Sequence, residues 1–302
     1  MPQIQKIPLP NRIQIEKGIF LIVTGLFKKV IIGDTAGRIV DNIFARPDIF
    51  KSPELLVALI LFSIQIYADF SGYSSIARGT AKLLGIELMK NFEQPYLSRN
   101  ITEFWRRWHI SLSTWLRDYL YISLGGNRKG INRTYVNLMI TMLLGGLWHG
   151  ASWNFVIWGG LHGVYLIVHK VSLGKRRISD RFQYNGPGSL ARFILQVLLT
   201  YILILFTWFF FRVADFHTAI IFLQKMIYWE SSEFTSRFLM ITLAFSLMML
   251  LFDVLEYYTR SHAFLLKIRN KGVVVGILTA LIIVSFLFMF QNDALPFIYF
   301  QF

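Results

Sequence analysis

The 302-residue sequence contains no cysteine and few charged residues. The absence of cysteine excludes disulfides, thiolate metal sites and cysteine nucleophiles. Charged residues make up only 16% of the chain, against roughly 25% in soluble globular domains. Hydrophobic residues make up 55%, and the mean hydropathy is +0.50. These values exclude an ordinary soluble domain and intrinsic disorder, and they favour a protein embedded in a membrane.

Apolar segments long enough to cross a bilayer predict an all-α fold, a polytopic transmembrane helix bundle that forms one domain over residues 1–302. We expect about seven spans. They are Gly18–Ile32, which Lys28 and Lys29 interrupt, the short segment Pro53–Ala68, two spans within Tyr135–Val168, and the clearest three, Ala191–Phe211, Phe238–Leu255 and Gly272–Phe290.

The formal net charge of +14 is concentrated in the segments between these spans. Three of the segments hold 20 lysines and arginines, while the alternate segments hold 6, and this bias places the basic segments in the cytoplasm. The pattern predicts a multi-pass protein of the bacterial inner membrane with its carboxyl terminus outside. Because the basic residues fit this topology, we expect membrane lipids as partners and no nucleic acid.

The basic segment over residues 70–133 is too long for a connector without structure of its own. Asn100 and Glu103 have the spacing of a capping box at a helix start. Aromatic and apolar residues then recur every four positions, at Phe104, Trp108, Leu112, Trp115 and Tyr119. The pattern indicates either an interfacial amphipathic helix or a re-entrant helix that lines a cavity, where polar groups are tolerated at membrane depth.

His149 is the strongest candidate for chemistry. It lies between the two helices expected over residues 134–169, in an apolar stretch without any acidic residue from Tyr135 to Val168. Ionisable groups inside a membrane are costly and usually face a cavity or a partner. An imidazole titrates near neutrality, so it can take a proton from a hydroxyl and return it to a leaving group. The alternative is a packed histidine whose neighbouring glycines serve only close helix contact.

The remaining histidines give weaker signals. His109 lies in the aromatic helix and is either solvated or part of a cavity. His162 lies among Gly159, Gly160 and Gly163, which suggests close helix packing first. We interpret the histidines at 169, 217 and 262 as structural or solvated. The sequence has no HExxH motif, no phosphate-binding loop and no GxSxG motif, and we expect no metal.

Several motifs together resemble the membrane-bound O-acyltransferase family, and within it the bacterial branch that acts in alginate O-acetylation and teichoic-acid D-alanylation. The matching stretches are YADFSGY at 67–73, NF at 91–92, FWRRWHISLS at 104–113, WLRDY at 115–119 and GLWHG at 146–150. The terminal segment 296–302 resembles the alginate type. Family members usually carry further amino-terminal spans before a Pro-Gln pair, so Pro2 and Gln3 suggest that these spans are missing here.

The resemblance implies a multi-helix acyltransferase with a tunnel through the membrane. It implies that His149 is the catalytic residue and that His109 is the second signature residue. We expect Trp148, Trp105, Trp108, Asp118 and Asn154, which lie in or beside these motifs, to support the pocket.

The predicted function is transfer of an acetyl group from a cytoplasmic donor toward hydroxyls of an exported polysaccharide, directly or through a periplasmic acetyl-relay protein. The donor expected is acetyl-CoA or another acyl carrier, without a tightly bound cofactor. Four basic residues either attract an anionic donor or serve only the topology; they are Arg106, Arg107, Arg128 and Lys129.

Two other functions remain open. One is a transporter or flippase of a polysaccharide or lipid intermediate. Ion-coupled transporters commonly use carboxylates inside the membrane, and this sequence offers few. Its candidates, Asp69, Asp118 and Asp253, lie near predicted span boundaries, which counts against ion coupling. The other is a non-catalytic scaffold for partner proteins.

Overall fold

The computed structural model describes residues 9–173, 185–231 and 235–291, together with Leu295 and Phe297. Pro2, Gln3 and most of the terminal segment 296–302 lie outside these residues. All regular elements in the described part are helical. The α-helices are α1 (Arg12–Phe27), α2 (Thr35–Ala45), α3 (Ser52–Leu83), α4 (Ile101–Arg107), α5 (Ile110–Trp115), α6 (Ile131–His149), α7 (Trp153–Leu173), α8 (Pro187–Arg212), α9 (Phe216–Ile227), α10 (Thr235–Thr259) and α11 (Lys271–Gln291).

Shorter helical turns connect some of these helices. A π-helix over Lys28–Asp34 joins α1 to α2, and a second over Leu116–Tyr121 follows α5. The two 3₁₀ turns of the described residues are Pro95–Leu97 and Phe264–Lys267.

Within the described residues, five helices are long and apolar enough to cross a membrane. They are Ser52–Leu83, Trp153–Ser172, Pro187–Arg212, Ser236–Thr259 and Lys271–Phe290. This confirms an all-helical membrane fold. The other two predicted spans are helical, as α1 and α6, but fall outside this set. Lys28 and Lys29 follow α1 directly, and α6 includes Arg133 and Asn137, so apolar length alone supports five spans rather than seven.

The chain divides into two compact units. The first unit comprises residues 1–90 and 224–302, and the second comprises residues 91–223. Each unit has its own buried residues, and each is described by itself below.

Helix α3 forms the centre of the first unit and is almost wholly buried. It packs against α1 with backbone close to backbone at two glycine pairs. A Cβ atom on Gly25 would lie 2.6 Å from the carbonyl oxygen of Gly72, and one on Gly79 would lie 2.6 Å from that of Gly18. Such contacts, spaced seven residues apart on each helix, allow an approach that larger residues would prevent.

Two buried lysines of the first unit are paired with carboxylates. Lys29 Nζ lies 2.5 Å from Asp34 Oδ1 and 2.8 Å from Asp69 Oδ1. Lys28 Nζ lies 3.6 Å from Glu256 Oε1, and both of these side chains are only 6% exposed. The two lysines that interrupt the first apolar segment therefore have carboxylate partners contributed by three different helical elements.

The acids of the first unit lie deeper in their helices than the sequence indicated. Asp69 and Asp253 are each 3% exposed, and α3 and α10 extend past them to Leu83 and Thr259. Both helices thus continue beyond the ends of the predicted spans, and the expectation that the two acids lie near span boundaries stays a prediction. Asp253 accepts a hydrogen bond of 2.6 Å from the Tyr67 hydroxyl. Partners of this kind lower the cost of burying a carboxylate, and hydropathy cannot reveal them.

In the second unit, α6 and α7 pack closely through glycines. A Cβ atom on Gly146 would lie 2.2 Å from the carbonyl oxygen of Phe155, and one on Gly159 would lie 2.4 Å from that of Met142. No side chain fits at either position without moving a backbone. The glycines around His149 thus serve close helix packing, and this packing also fixes where α6 ends.

The aromatic segment after Asn100 begins as predicted. Asn100 Oδ1 accepts a hydrogen bond of 2.9 Å from the Glu103 amide, so Asn100 caps α4. The Glu103 carboxylate accepts from the backbone amide of Arg99 instead of that of Asn100, and it also pairs with the Arg99 and Arg107 guanidinium groups. The helix begins where the sequence predicts, but the return hydrogen bond to the Glu103 side chain comes from the amide of Arg99 rather than from that of Asn100.

The single aromatic helix predicted after Asn100 is wrong. The helix breaks at Trp108, which is extended, and at His109, which has a left-handed backbone with φ of 42°. Trp108 is 2% exposed, whereas Trp115 and Tyr119 are 52% and 69% exposed, so the stripe does not form one face.

Hydrogen bonds and ring packing stabilise this break. The Trp108 ring stacks on Phe104 and meets Phe92 and Trp208 at centroid distances of 5.0 Å. Asn91 accepts from the amide of Ile110 with its carbonyl oxygen and from that of Ser111 with its side chain. These contacts outweigh the helical preference of the segment, because they satisfy the amides that the break frees.

Candidate active site

His149 is the last residue of α6 and is 9% exposed. Its imidazole meets the rings of Trp148, Trp158 and Phe211 edge to face, at centroid distances of 5.1, 5.2 and 5.1 Å. The Phe155 ring lies 6.3 Å away. The imidazole is therefore enclosed by aromatic rings from three places in the chain. Apolar surroundings disfavour a charged imidazole and leave a nitrogen lone pair ready to accept a proton.

His109 is the N-cap residue of α5, directly at the break after Trp108. Its Nδ1 accepts a hydrogen bond of 3.4 Å from the Leu112 amide and lies 3.3 Å from Ser111 Oγ. Burial lowers the pKa of His109 from 6.5 to about 4, so this imidazole is neutral at pH 7. His109 and His149, the two histidines that the sequence singled out, both lie in the second unit, within range of an electrostatic influence of one ring on the other.

Helix α7 presents a row of buried polar side chains beside His149. Asn154, Trp158 and His162 follow one another at intervals of four residues, which places them on one helix face. They are 3%, 2% and 0% exposed. The Asn154 amide donates to the Val213 carbonyl at 2.9 Å. The rings of Trp158 and His162 meet at a centroid distance of 4.7 Å.

Trp105 on α4 holds His162 in place. The indole Nε1–H of Trp105 donates a hydrogen bond of 3.2 Å to His162 Nδ1. The Trp105 ring also meets Trp158 at a centroid distance of 5.8 Å. Trp105 therefore lies beside His162 and Trp158, while the expected roles of Trp105 and Asn154 in the pocket stay predictions. Trp108 packs one layer away, against Trp208 and Phe104.

Two of the expected supporting residues lie at the surface. Trp148 touches the His149 ring but is 59% exposed. Asp118 lies in the π-helix after α5 and forms a surface ion pair with Arg117 at 2.7 Å. The hydrogen bond from Arg117 lowers the pKa of Asp118. Asp118 thus has a partner of its own at the surface, and its expected role in the pocket stays a prediction.

Sequence reasoning missed Trp158 and Phe211 and assigned His162 to helix packing. The four-residue spacing of Asn154, Trp158 and His162 was a usable signal, because it places three hydrogen-bonding side chains on one face of an apolar helix. Phe211 gave no signal. It is one of several phenylalanines near the end of α8, and only folding brings it to His149.

The other histidines play different parts. His169 Nδ1 lies 2.8 Å from Thr102 Oγ1, which links α7 to α4. His217 is exposed on α9. In the first unit, His262 Nδ1 lies 3.4 Å from Glu256 Oε2. A structural or solvated position fits each of them.

The basic residues near the site are partly engaged in the fold. Arg107 pairs with Glu103 at 2.5 Å and also donates to the carbonyl of Gln94. Arg106 is exposed. Attraction of an anionic donor by these residues stays a prediction.

The sequence profile of MBOAT, the membrane-bound O-acyltransferase family, matches residues 11–179. The match covers more than half of the chain and includes His109, His149 and the polar row of α7. The chain belongs to the membrane-bound O-acyltransferase family. It is also a membrane protein, as its five long apolar helices indicate.

Curated relatives within this family carry three different names. A probable alginate O-acetylase of Pseudomonas putida is 47% identical over 67% of this chain and 39% of its own length. A peptidoglycan O-acetyltransferase of Helicobacter pylori is 34% identical over 97% of this chain and 58% of its own length. A teichoic acid D-alanyltransferase of Streptococcus thermophilus is 31% identical over 57% of this chain and 45% of its own length. The chain therefore spans less than two thirds of each of these relatives.

Proposed function

We propose that this membrane-bound O-acyltransferase transfers an acetyl group to hydroxyls of an exported cell-envelope polysaccharide, with His149 as the general base. The observation that carries the proposal is the enclosure of the His149 imidazole by aromatic rings, with a second neutral imidazole close by. Helices α6 and α7 contain no carboxylate that could take the proton in place of His149. A neutral imidazole can therefore act as the proton acceptor at neutral pH.

In the proposed reaction a single base moves one proton from the acceptor hydroxyl to the leaving group of the acyl donor. His149 takes the proton of the acceptor hydroxyl while that oxygen attacks the carbonyl carbon of the acyl donor. The carbonyl π electrons move onto oxygen and form a tetrahedral oxyanion. Its collapse restores the carbonyl, breaks the bond to the donor, and lets His149 return the proton to the leaving group. The products are a new ester and the protonated donor carrier.

His109 would hold the acyl donor or share the proton with His149. Its Nδ1 accepts from the Leu112 amide, so the proton of the neutral ring is on Nε2, which is able to donate a hydrogen bond. A neutral donor next to a neutral base does not oppose protonation of His149 as a second cation would. This argument favours a positioning role for His109 over a role as a second base.

Acetyl transfer fits the names of the relatives better than D-alanyl transfer does. Relatives named as O-acetylases of alginate and of peptidoglycan are 47% and 34% identical over 67% and 97% of this chain, whereas the D-alanyltransferase is 31% identical over 57%. We infer acetyl-CoA or another acyl carrier as the donor, and the polysaccharide or a periplasmic relay protein as the acceptor. The inner membrane is the location that such a cytoplasmic donor requires.

The test compares His149→Ala with wild type in a bacterial strain that lacks its own homologue. The readout is ester-linked acetyl released by mild base from the exported polymer, expressed per uronic acid and, separately, per muramic acid. The matched control is His217→Ala, which removes an exposed histidine of the same unit. We expect wild type and His217→Ala to restore acetylation and His149→Ala to remain at the level of the deletion strain.

The outcomes separate the competing functions. Undiminished acetylation with His149→Ala at wild-type abundance in the membrane would contradict the proposal. A fall in exported polymer with an unchanged ratio of acetyl to sugar would indicate transport. The uronic-acid and muramic-acid values distinguish alginate-like from peptidoglycan acceptors.

A further inference from the structure

Two buried N–H groups beside His149 have no acceptor among the described residues. They are Trp158 Nε1 and His162 Nε2. Both residues lie on one face of α7 and are at most 2% exposed. Leaving a buried donor without an acceptor costs about 1–3 kcal/mol, so most buried polar groups in proteins are paired. Two such donors in adjacent side chains are therefore open to an acceptor that the described residues do not supply.

The hydrogen bond from Trp105 fixes which nitrogen of His162 carries the proton. An indole N–H only donates, so His162 Nδ1 must accept and cannot bear a proton. The proton of the neutral ring is therefore on Nε2, the nitrogen that lacks a partner. An indole nitrogen is likewise only a donor, which leaves Trp158 with the same requirement.

The two donors adjoin the proposed base. The Trp158 ring lies between the imidazoles of His149 and His162, at centroid distances of 5.2 and 4.7 Å. An acyl carbon attacked next to His149 would develop negative charge on an oxygen within this group of rings.

We propose that the Trp158 Nε1–H and the His162 Nε2–H together bind the carbonyl oxygen of the transferred acyl group and stabilise its oxyanion. This inference rests on the proposed acyl transfer. The π electrons of the carbonyl move onto this oxygen when the acceptor hydroxyl attacks and return when the donor carrier leaves, so both N–H groups keep their protons throughout. Fixed donors in dry surroundings stabilise an oxyanion more than water does, because they need no reorientation during the reaction.

The sequence suggested Trp148 or nearby amides for this task. Trp148 is 59% exposed, so its indole is not enclosed by the fold. Trp158 is 2% exposed and lies on the opposite helix of the pair, so its N–H is shielded from bulk water. The shielded tryptophan is the better oxyanion donor, because electrostatic stabilisation weakens as the surroundings become more polar.

The experiment measures initial rates in membranes from cells of the encoding organism that carry single substitutions in the native protein. Labelled acetyl-CoA is the donor probe, and rates are normalised to the amount of protein. We expect Trp158→Phe and His162→Phe each to lower kcat about 10²-fold, with KM for the probe changed less than about threefold, as for other oxyanion donors. His162→Gln keeps an N–H donor and should recover roughly tenfold of the loss.

The matched control is Trp208→Phe. Trp208 is 1% exposed in the same aromatic cluster, and its Nε1–H already donates to the Tyr96 hydroxyl at 3.2 Å. The control also replaces a buried tryptophan of the aromatic cluster by phenylalanine. It removes an N–H that already has an acceptor within the protein. We expect it to lower thermal stability but leave kcat per folded molecule within about threefold of wild type.

Three results would overturn the inference, and they differ. If His149→Ala is inactive while Trp158→Phe and His162→Phe match Trp208→Phe in kcat, the two donors do not bind the oxyanion and the acyl-transfer proposal stands. If His149→Ala retains full activity, the acyl-transfer proposal fails and this inference fails with it. A loss confined to KM or to stability assigns the two residues to packing and also overturns the inference.

Discussion

The two units bury polar groups in opposite ways. In the first unit, Lys28, Lys29 and Asp69 are buried against opposite charges of the same unit. In the second unit, the buried donors of Trp158 and His162 lie among aromatic rings without an acceptor from the described residues. Buried polar atoms without a partner among the described residues occur in both units, but the ion pairs named here are compensated within the first unit, whereas the two N–H groups beside His149 are open to a ligand. On the proposed reaction, these ion pairs serve stability and the two N–H groups serve the chemistry.

The energetics of burial explain why this difference is informative. A buried ion pair is costly when one partner is removed, because an uncompensated charge stays behind. A buried neutral N–H costs less, and a fold tolerates it where a ligand later supplies the acceptor. Removal of one charge from these ion pairs should therefore change stability, and removal of the Trp158 or the His162 N–H should change rate with a smaller effect on stability.

The largest effect on stability is expected for Glu256→Leu. This change leaves the Lys28 ammonium buried at 6% exposure without its carboxylate, and only the Phe252 ring remains, 4.8 Å from Nζ. We expect a loss of about 3–5 kcal/mol in the free energy of unfolding. Thermal unfolding of the detergent-solubilised protein measures it.

A double variant provides the control. Lys28→Met together with Glu256→Leu removes both charges, and most of the stability should return because no charge stays unpaired. Trp158→Phe, which removes a neutral donor of the second unit, should destabilise less than Glu256→Leu. If Trp158→Phe costs as much as Glu256→Leu, the contrast between the two units is wrong.

A smaller effect on stability is expected from pH, because each unit holds a histidine that burial keeps neutral. Burial lowers the pKa of His109 in the second unit and of His262 in the first unit to about 4. Glu256 opposes the shift of His262, while Arg78, Lys90 and Lys28 favour it. The unfolded chain takes up these protons near pH 6.5, but the folded chain does so only near pH 4.

The sign of the pH effect follows from this proton uptake. Between pH 6.5 and pH 4 the unfolded state binds more protons, so stability falls as the pH falls, by at most about 1.4 kcal/mol per pH unit for each histidine. His109→Gln and His262→Gln should each flatten the profile, and the double variant should flatten it further. Unfolding midpoints between pH 4 and pH 7 test this. An unchanged slope in both variants would contradict neutral burial of the two rings.

Much of the fold could be predicted from the sequence. Apolar length and composition located the helices that cross the membrane, because the cost of exposing polar backbone to lipid leaves few alternatives. The Asn100 cap was also correct. The break at Trp108 and His109 was not predictable from periodicity, because it depends on Asn91 accepting the freed amides. Tertiary contacts of this kind override local helical preference.

The site was predictable only in part. His149 stood out because an ionisable side chain in an acid-free apolar stretch needs a reason. The acceptor-free nitrogens of Trp158 and His162 were invisible, because whether a donor is paired depends on every neighbour in three dimensions. The paired acids of the first unit were missed for the same reason.

The smallest effect is expected for Asp118→Asn. The sequence placed Asp118 in support of the pocket, but the structure places it at the surface, paired with Arg117. Exposed ion pairs contribute little because water and salt screen them. We expect the acetylation rate to stay within about twofold of wild type and the unfolding temperature to be unchanged, in contrast to Trp158→Phe. A rate loss of tenfold or more that salt does not reduce would show that Asp118 supports the pocket after all. It would also mean that the chemistry of the second unit extends beyond the buried rings around His149.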